Sequence, residues 1–226
     1  MANVLCLDFD DTIVVNNTVN LVFEEFAGER RSWLEEGGQL GRMSVEQRNA
    51  ALLDSIEAPR EELYRFVQEN AQVRPGFAEL IAWANGNGWY PTVVSNAYDF
   101  CVDAVLDGLG LDRVVRHCGR TQLDYRWRVR YESPRGIEVA DGFKVSYAAA
   151  FKNAGDFVVY AGDGASDVPP ADLARAVFAR GRLWTGLKDV HPRIYPFETF
   201  HDVITVLDRD ASDWLAAFAS RPSDPA

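Results

Sequence analysis

Three apolar runs in this 226-residue chain each end in residues able to do chemistry. Residues 4–7 run into Asp8-Phe9-Asp10-Asp11-Thr12, residues 90–94 into Ser95-Asn96, and residues 157–161 into Gly162-Asp163, with Asp167 four positions on. Taken singly, an Asp-x-Asp is a turn or a helix cap, a Ser-Asn is loop chemistry, and a Gly-Asp-Gly is a turn signal. Taken together, and each at the end of a strand-like run, they describe one crevice. In open parallel sheets ligands bind beyond the carboxyl ends of the strands. There Asp8, Asp10, Asp163 and Asp167 would converge with the Ser95 hydroxyl. Carboxylates so concentrated need a proton or a cation among them, and a hard divalent ion such as Mg²⁺, with oxygen ligands, suits such a set.

The rest of the chain must position these residues. Buried-strand patterns at 4–7, 90–95, 157–161 and 176–179 alternate with helical patterns at 77–85, 99–109, 144–154 and 200–219, which predicts an α/β fold with a mostly parallel sheet. Residues 16–73 differ: they carry helical periodicity at 19–27 and 45–56, glycine breaks at Gly37, Gly38 and Gly41, and a helix start after Pro59. They read as an all-helical insertion. At 121–140 the period becomes two. Leu123, Tyr125, Trp127, Val129 and Tyr131 alternate with Asp124, Arg126, Arg128 and Arg130, and Ser133-Pro134-Arg135-Gly136 supplies a turn, so a β-hairpin with one apolar and one basic face is expected. The predicted organisation is a core of residues 1–15 and 74–226, a helical cap at 16–73, the hairpin at 121–140, and a polar Pro-containing tail.

Composition excludes several classes. The chain is 47% hydrophobic, too apolar for disorder, and its formal net charge of −11 argues against nucleic acid as a partner. No apolar run reaches the roughly 18 residues that span a bilayer, and residues 1–8 lack the basic lead and cleavage site of a signal peptide. Three cysteines, Cys6, Cys101 and Cys118, with no Cys-x-x-Cys pair, suggest reduced thiols and a cytoplasmic setting. His117, His191 and His201 have no metal-ligand spacing.

The sequence resembles the haloacid dehalogenase superfamily. The match lies in Asp8-x-Asp10-x-Thr12, Ser95, Lys144 and Gly162-Asp163-x-x-x-Asp167, and extends from residue 4 to about residue 207. The resemblance implies a Rossmann-like core whose helical insertion follows the first motif as a cap. It implies Asp8 as a nucleophile that becomes an aspartyl phosphate, and Asp10 as the acid and then the base. Thr12, Ser95, Asn96 and Lys144 would hold the phosphate. Asp8, Asp10 (through its carbonyl), Asp163 and Asp167 would hold Mg²⁺. Lys144, at a helix start after Gly142-Phe143, is preferred over Lys152 for the lysine. The acid two residues after the nucleophile favours phosphate-ester hydrolysis over carbon–halogen cleavage.

Two subfamilies compete for the resemblance. Phosphoserine phosphatases match in the core motifs and the hairpin, but their ammonium-reading Glu falls at Asn17 and their carboxylate-reading Arg near Leu52, with Arg48 one turn away. The methionine-salvage phosphatases of 2-hydroxy-3-keto-5-methylthiopentenyl-1-phosphate match more broadly, at Arg74-Pro75-Gly76-Phe77, Asp99-Phe100, residues 177–180 and residues 196–203. They depart at Asn96 and before Lys144. The expected activity is therefore Mg²⁺-dependent hydrolysis of a small phosphorylated metabolite. The alternatives are a phosphoserine phosphatase and a catalytically weak phospho-ligand-binding protein. Arg180 and the hairpin arginines are further candidates for touching substrate.

Overall fold

The computed structural model describes residues 1–27 and 43–220; Gly37, Gly38, Gly41 and the tail at 221–226 lie outside the described residues. In chain order the elements are β1 (Asn3–Leu7), α1 (Thr18–Phe26), α2 (Val45–Leu53), α3 (Arg60–Asn70), α4 (Phe77–Gly86), β2 (Trp89–Tyr98) and α5 (Asp99–Gly108). There follow β3 (Val115–Leu123), β4 (Trp127–Arg130), α6 (Phe143–Asn153), β5 (Phe157–Gly162), α7 (Val168–Asp172), β6 (Ala176–Ala179), α8 (Gly181–Leu187), β7 (Ile194–Pro196) and α9 (Phe200–Ala219).

The strands form one sheet in the order β4-β3-β2-β1-β5-β6-β7. Every pairing is parallel except β3 with β4. The central strands are continuous apolar runs because both faces are covered. Along β1 the side chains alternate between two cores: Leu5 and Leu7 join the larger one with Phe77, Phe178 and Phe200, and Val4 and Cys6 join the other with Phe143, Tyr160 and Leu183. At the start of α4, Gly76 has φ +85 and lies against α9, where a Cβ would come within 2.7 Å of the His201 amide nitrogen. Only glycine fits that backbone and that approach.

Residues 16–73 contribute helices α1, α2 and α3 and, among the described residues, no strand. The chain leaves and returns through a narrow neck, where Val14 bridges Val73 and the Arg74 amide donates to the Ile13 carbonyl at 2.8 Å. These helices do not bury a core of their own. Val22, Leu53, Leu63 and Val67 belong to the same apolar cluster as the sheet.

The hairpin differs from the expectation. Its turn lies at residues 124–126, and its first strand begins at Val115 as a parallel partner of β2. The Ser133–Gly136 turn exists, with Gly136 at φ +71, but it closes a single bridge between Glu132 and Glu138. Leu123 and Tyr125 sit exposed near the tip, whereas Trp127 and Tyr131 face inward and Arg126, Arg128 and Arg130 face solvent. β4 pairs only with residues 120–123 of β3, so among the described residues no strand pairs with the outer edge of 115–118.

Candidate active site

The C-terminal ends of β1, β2 and β5 meet at a cleft of about 130 Å³. Asp8, Asp10, Ser95, Asn96, Lys144, Asp163 and Asp167 all line it, as do Val45, Arg48 and Asn49 of α2. Thr12 lies beneath, with its hydroxyl 3.5 Å from Asp8 Oδ2 and 3.3 Å from Asp163 Oδ1.

Lys144 is 5% exposed, and its Nζ stands 2.7 Å from both Asp8 Oδ1 and Asp167 Oδ1. Burial opposes its charge, but Asp167 and Asp8 more than offset that and hold the ammonium protonated well above its usual range. Lys152, the other lysine on α6, is exposed near the far end of the helix.

The acids differ in how fully they are held. Asp167 Oδ1 accepts from Lys144 and from the Tyr160 hydroxyl, each at 2.7 Å, and Oδ2 accepts from the Asp163 and Gly164 amides at 3.1 and 2.8 Å. Burial alone would raise its carboxyl; the Lys144 charge and these donors win and hold it below the usual carboxylate range. Asp8 is raised, by burial first and then by the nearby Asp167 charge, against the pull of Lys144. Its Oδ1 touches Lys144 but lines up with no hydrogen-bond donor. Asp163 is pushed up to about 6 by burial and by Asp167. One carboxylate oxygen from each of Asp8, Asp163 and Asp167 lies within 4.8 Å of the others.

Asp10 turns its side chain away from that trio. Its Oδ1 accepts from the amide and the hydroxyl of Thr18, both at 2.7 Å, at the first residue of α1. Burial pushes its carboxyl up to about 6 in spite of those two bonds. Between the two acids and the neck, Asp11 takes a left-handed backbone at φ +59. Buried Arg74 secures this turn, donating to the Asp11 carbonyl at 2.7 Å and the Thr12 carbonyl at 2.6 Å.

The second strand end is held from above. Ser95 Oγ accepts from the Ala97 amide at 3.1 Å. The Asn96 carbonyl accepts from Asn49 Nδ2 at 2.7 Å and from the Tyr131 hydroxyl at 2.6 Å, joining α2 and the hairpin to the sheet. A carbonyl can only accept, so the nearer Asn49 atom must be nitrogen and its oxygen points elsewhere. That Asn49 Oδ1, Arg48 Nε and Asn96 Nδ2 are buried polar atoms without a partner, all on residues lining the cleft.

Several sequence candidates are engaged with other partners. Asn17 lines the cleft, but it caps α1 and donates to Asp11 Oδ2 at 3.1 Å. Leu52 is buried in the core. Arg180 donates to the Phe197 carbonyl and pairs with Glu198, and Arg126 faces Asp54 outside the cleft; neither they nor Arg128 and Arg130 line it. The sequence assigns no site role to Arg74, Glu46, Asn49, Tyr131 or Tyr160. A signal existed for two: Glu46 and Asn49 share the inward stripe of α2 with Leu53, so polar residues occupy an apolar register.

Acids and a buried lysine at the carboxyl ends of central parallel strands define a class of hydrolase. Residues 5–172 match the haloacid dehalogenase-like hydrolase family, and the chain belongs to that family. Curated relatives named 2-hydroxy-3-keto-5-methylthiopentenyl-1-phosphate phosphatase include one from Bacillus thuringiensis, 31% identical over 205 residues, or 88% of this chain and 93% of its own. Another, from Exiguobacterium sibiricum, is 31% identical over 209 residues, or 89% and 94%. Among solved structures, a phospho-aspartyl intermediate analogue of phosphoserine phosphatase superposes with a TM-score of 0.65 at 21% identity, covering 90% of this chain and 98% of that one. A family hydrolase from Salmonella enterica gives 0.70 at 13% identity, covering 92% and 72%. Those two likenesses establish a shared fold. No helix among the described residues is long and apolar enough to cross a membrane.

Proposed function

We propose that the protein is a Mg²⁺-dependent phosphatase that hydrolyses a small phosphomonoester through an aspartyl phosphate on Asp8. The observation that carries this reading is the Lys144 ammonium, 2.7 Å from Asp8 and from Asp167 at the ends of β1 and β5. A carboxylate so placed can attack phosphorus, because the lysine offsets the charge a phosphate dianion brings.

In the first step an Asp8 oxygen bonds to phosphorus, the ester P–O bond breaks, and Asp10 gives its proton to the leaving alkoxide. In the second, Asp10 takes a proton from water as that water attacks the phosphoaspartate, which releases inorganic phosphate and restores Asp8. A group held near 6 can serve in both protonation states at neutral pH. Ser95, Asn96 and Thr12 would orient the phosphoryl oxygens.

The donor set fits Mg²⁺: oxygen ligands only, one from each of Asp8, Asp163 and Asp167 within 4.8 Å of the others, with Asp163 raised by burial and then by Asp167. Asp8 and Asp163 would hold the ion with the Asp10 carbonyl, and Asp167, already bonded at both oxygens, would order Lys144 and the Asp163 loop beside it. When bound, Mg²⁺ supplies positive charge that lets phosphate approach these carboxylates.

For substrate, the relatives favour 2-hydroxy-3-keto-5-methylthiopentenyl-1-phosphate, and the cleft agrees. What supports it in the cleft is that the polar side chains of Arg48 and Asn49 line it together with Ser95 and Asn96. Phosphoserine is disfavoured, because Asn17 is committed to its cap and Leu52 to the core. The free thiols of Cys6, Cys101 and Cys118 suit a cytoplasmic enzyme. The test is a panel of phosphorylated metabolites, including both compounds, assayed with Mg²⁺ for phosphate release. The hydroxy-keto phosphate should give the higher kcat/KM, and Asp8→Asn should reduce turnover by on the order of 10³-fold or more. Phosphate release by Asp8→Asn at the parent rate would overturn the mechanism.

A further inference from the structure

Glu46 is a buried carboxylate that the proposed chemistry does not use. It lies on α2 and is 5% exposed, and among the described residues no lysine or arginine forms an ion pair with it. Its Oε1 accepts from the Phe143 amide at 2.9 Å. Phe143 is the first residue of α6, and Lys144 is the second.

That amide needs an acceptor from outside its own segment. The N-cap of α6 is Gly142, at φ +74, which has no side chain to offer, and no side chain caps the helix from its own N-terminal flank. Glu46 supplies the missing acceptor across the chain, 97 residues away in sequence, and its negative charge meets the positive end of the helix. Ser44, two residues before it, donates to the Ala140 carbonyl. The run from 140 to 143 is thus gripped at both ends by the start of α2. Phe143 is further fixed against Tyr131 and Tyr147, with ring centroids 5.3 and 5.2 Å away.

We infer that Glu46 is a positioning residue: by capping α6 from α2 it sets where Lys144 stands against Asp8. The lysine must span from the second residue of α6 to two carboxylates on other elements, so a small shift of the helix start moves Nζ off both. The same α2 also presents Val45, Arg48 and Asn49 to the cleft. The seat of α2, whose side chains line the cleft, is therefore tied to the placement of the Lys144 cation. This inference rests on the phosphatase reading for its kinetic consequence, though not for its structural one.

The experiment uses the full chain with p-nitrophenyl phosphate and Mg²⁺, comparing Glu46→Ala, which removes the acceptor, with Glu46→Gln, which keeps an oxygen there. Glu46→Ala should lower kcat at least tenfold with KM changed less than threefold, and Glu46→Gln should recover most of the loss. In parallel, amine labelling read by mass spectrometry should show Lys144 reacting at least fivefold faster in Glu46→Ala than in the parent, at a temperature where circular dichroism shows both folded. Unchanged Lys144 labelling in Glu46→Ala overturns the inference, as does a kcat equal to the parent's. If the parent releases no phosphate while Lys144 labelling still rises in Glu46→Ala, the phosphatase reading fails and the positioning role stands.

Discussion

Three carboxylates within a few ångströms of one another have unequal tasks, and their hydrogen bonds show it. Asp167 is saturated by four donors, so it organises its neighbours; among the described residues the Asp163 side chain receives only the Thr12 hydroxyl at 3.3 Å, which leaves it lone pairs. Burial, and after it the neighbouring Asp167 charge, raises Asp8 and Asp163, and the charge of a divalent cation would offset both. Mg²⁺ added to protein stripped with EDTA should therefore raise the melting temperature, by the equivalent of about 2.7 kcal/mol at a hundredfold excess over Kd. Asp163→Asn should melt near the parent's metal-free temperature and lose most of that gain. A full Mg²⁺-dependent rise in Asp163→Asn, read by differential scanning calorimetry, would remove Asp163 from the ligand set.

Elements explain how such a group of side chains is assembled and why part of it was legible in the chain. β1, β2, β5 and β6 are apolar runs because both faces are buried; the ends of β1 and β5 carry the acids and that of β2 carries Ser95 and Asn96, so pattern and chemistry coincide there. Legibility failed where burial is partial. Residues 115–119, Val-Arg-His-Cys-Gly, show no period, yet they pair with β2, with a register shift between the Val94–His117 and Tyr98–Gly119 pairs. The three-residue β7 at the opposite edge is too short to leave a pattern. Ser133–Gly136 carries the stronger turn residues, whereas the observed turn at Asp124-Tyr125-Arg126 leads directly into Trp127. That indole is buried and donates to the Ala58 carbonyl at 2.9 Å, so the hairpin is anchored on the helical segment. Side chains such as Glu46 and Arg74 could not be placed from sequence, because their partners are main-chain groups 97 and 62 residues away. Trp127→Ala should cost about 3–5 kcal/mol in urea unfolding, the range for truncating a buried large aromatic. A loss below ~1 kcal/mol would show that the hairpin is not held by this contact.

At the scale of the whole molecule, the acid excess of −11 leaves stability sensitive to pH, and His117 adds a term of known sign. It stacks on Tyr147 with centroids 4.2 Å apart, and burial, aided by the Arg120 charge, lowers its pKa below the usual 6.5. The unfolded chain therefore binds the proton more readily than the folded one. This contribution is full above about pH 6.5 and is lost as pH falls from there toward the folded value. His117→Phe keeps a ring on Tyr147 and removes the titration. The difference in unfolding free energy between parent and variant should shift toward the variant between pH 7.5 and pH 5.5. A pH-independent difference would show that the imidazole titrates alike in both states.

Where β4 has not yet joined, the outer amides and carbonyls of residues 115–118 of β3 face no strand among the described residues. An exposed edge of that kind is a template on which further copies of a chain can polymerise. Here the bare stretch is short, because β4 takes over from Arg120, which lies opposite Arg130. Its one arginine, Arg116, is turned to Asp103 at 2.7 Å, so a charged pair stands beside the edge. A brief edge with charge beside it offers little template for a further strand, and the return of β4 is what keeps it brief.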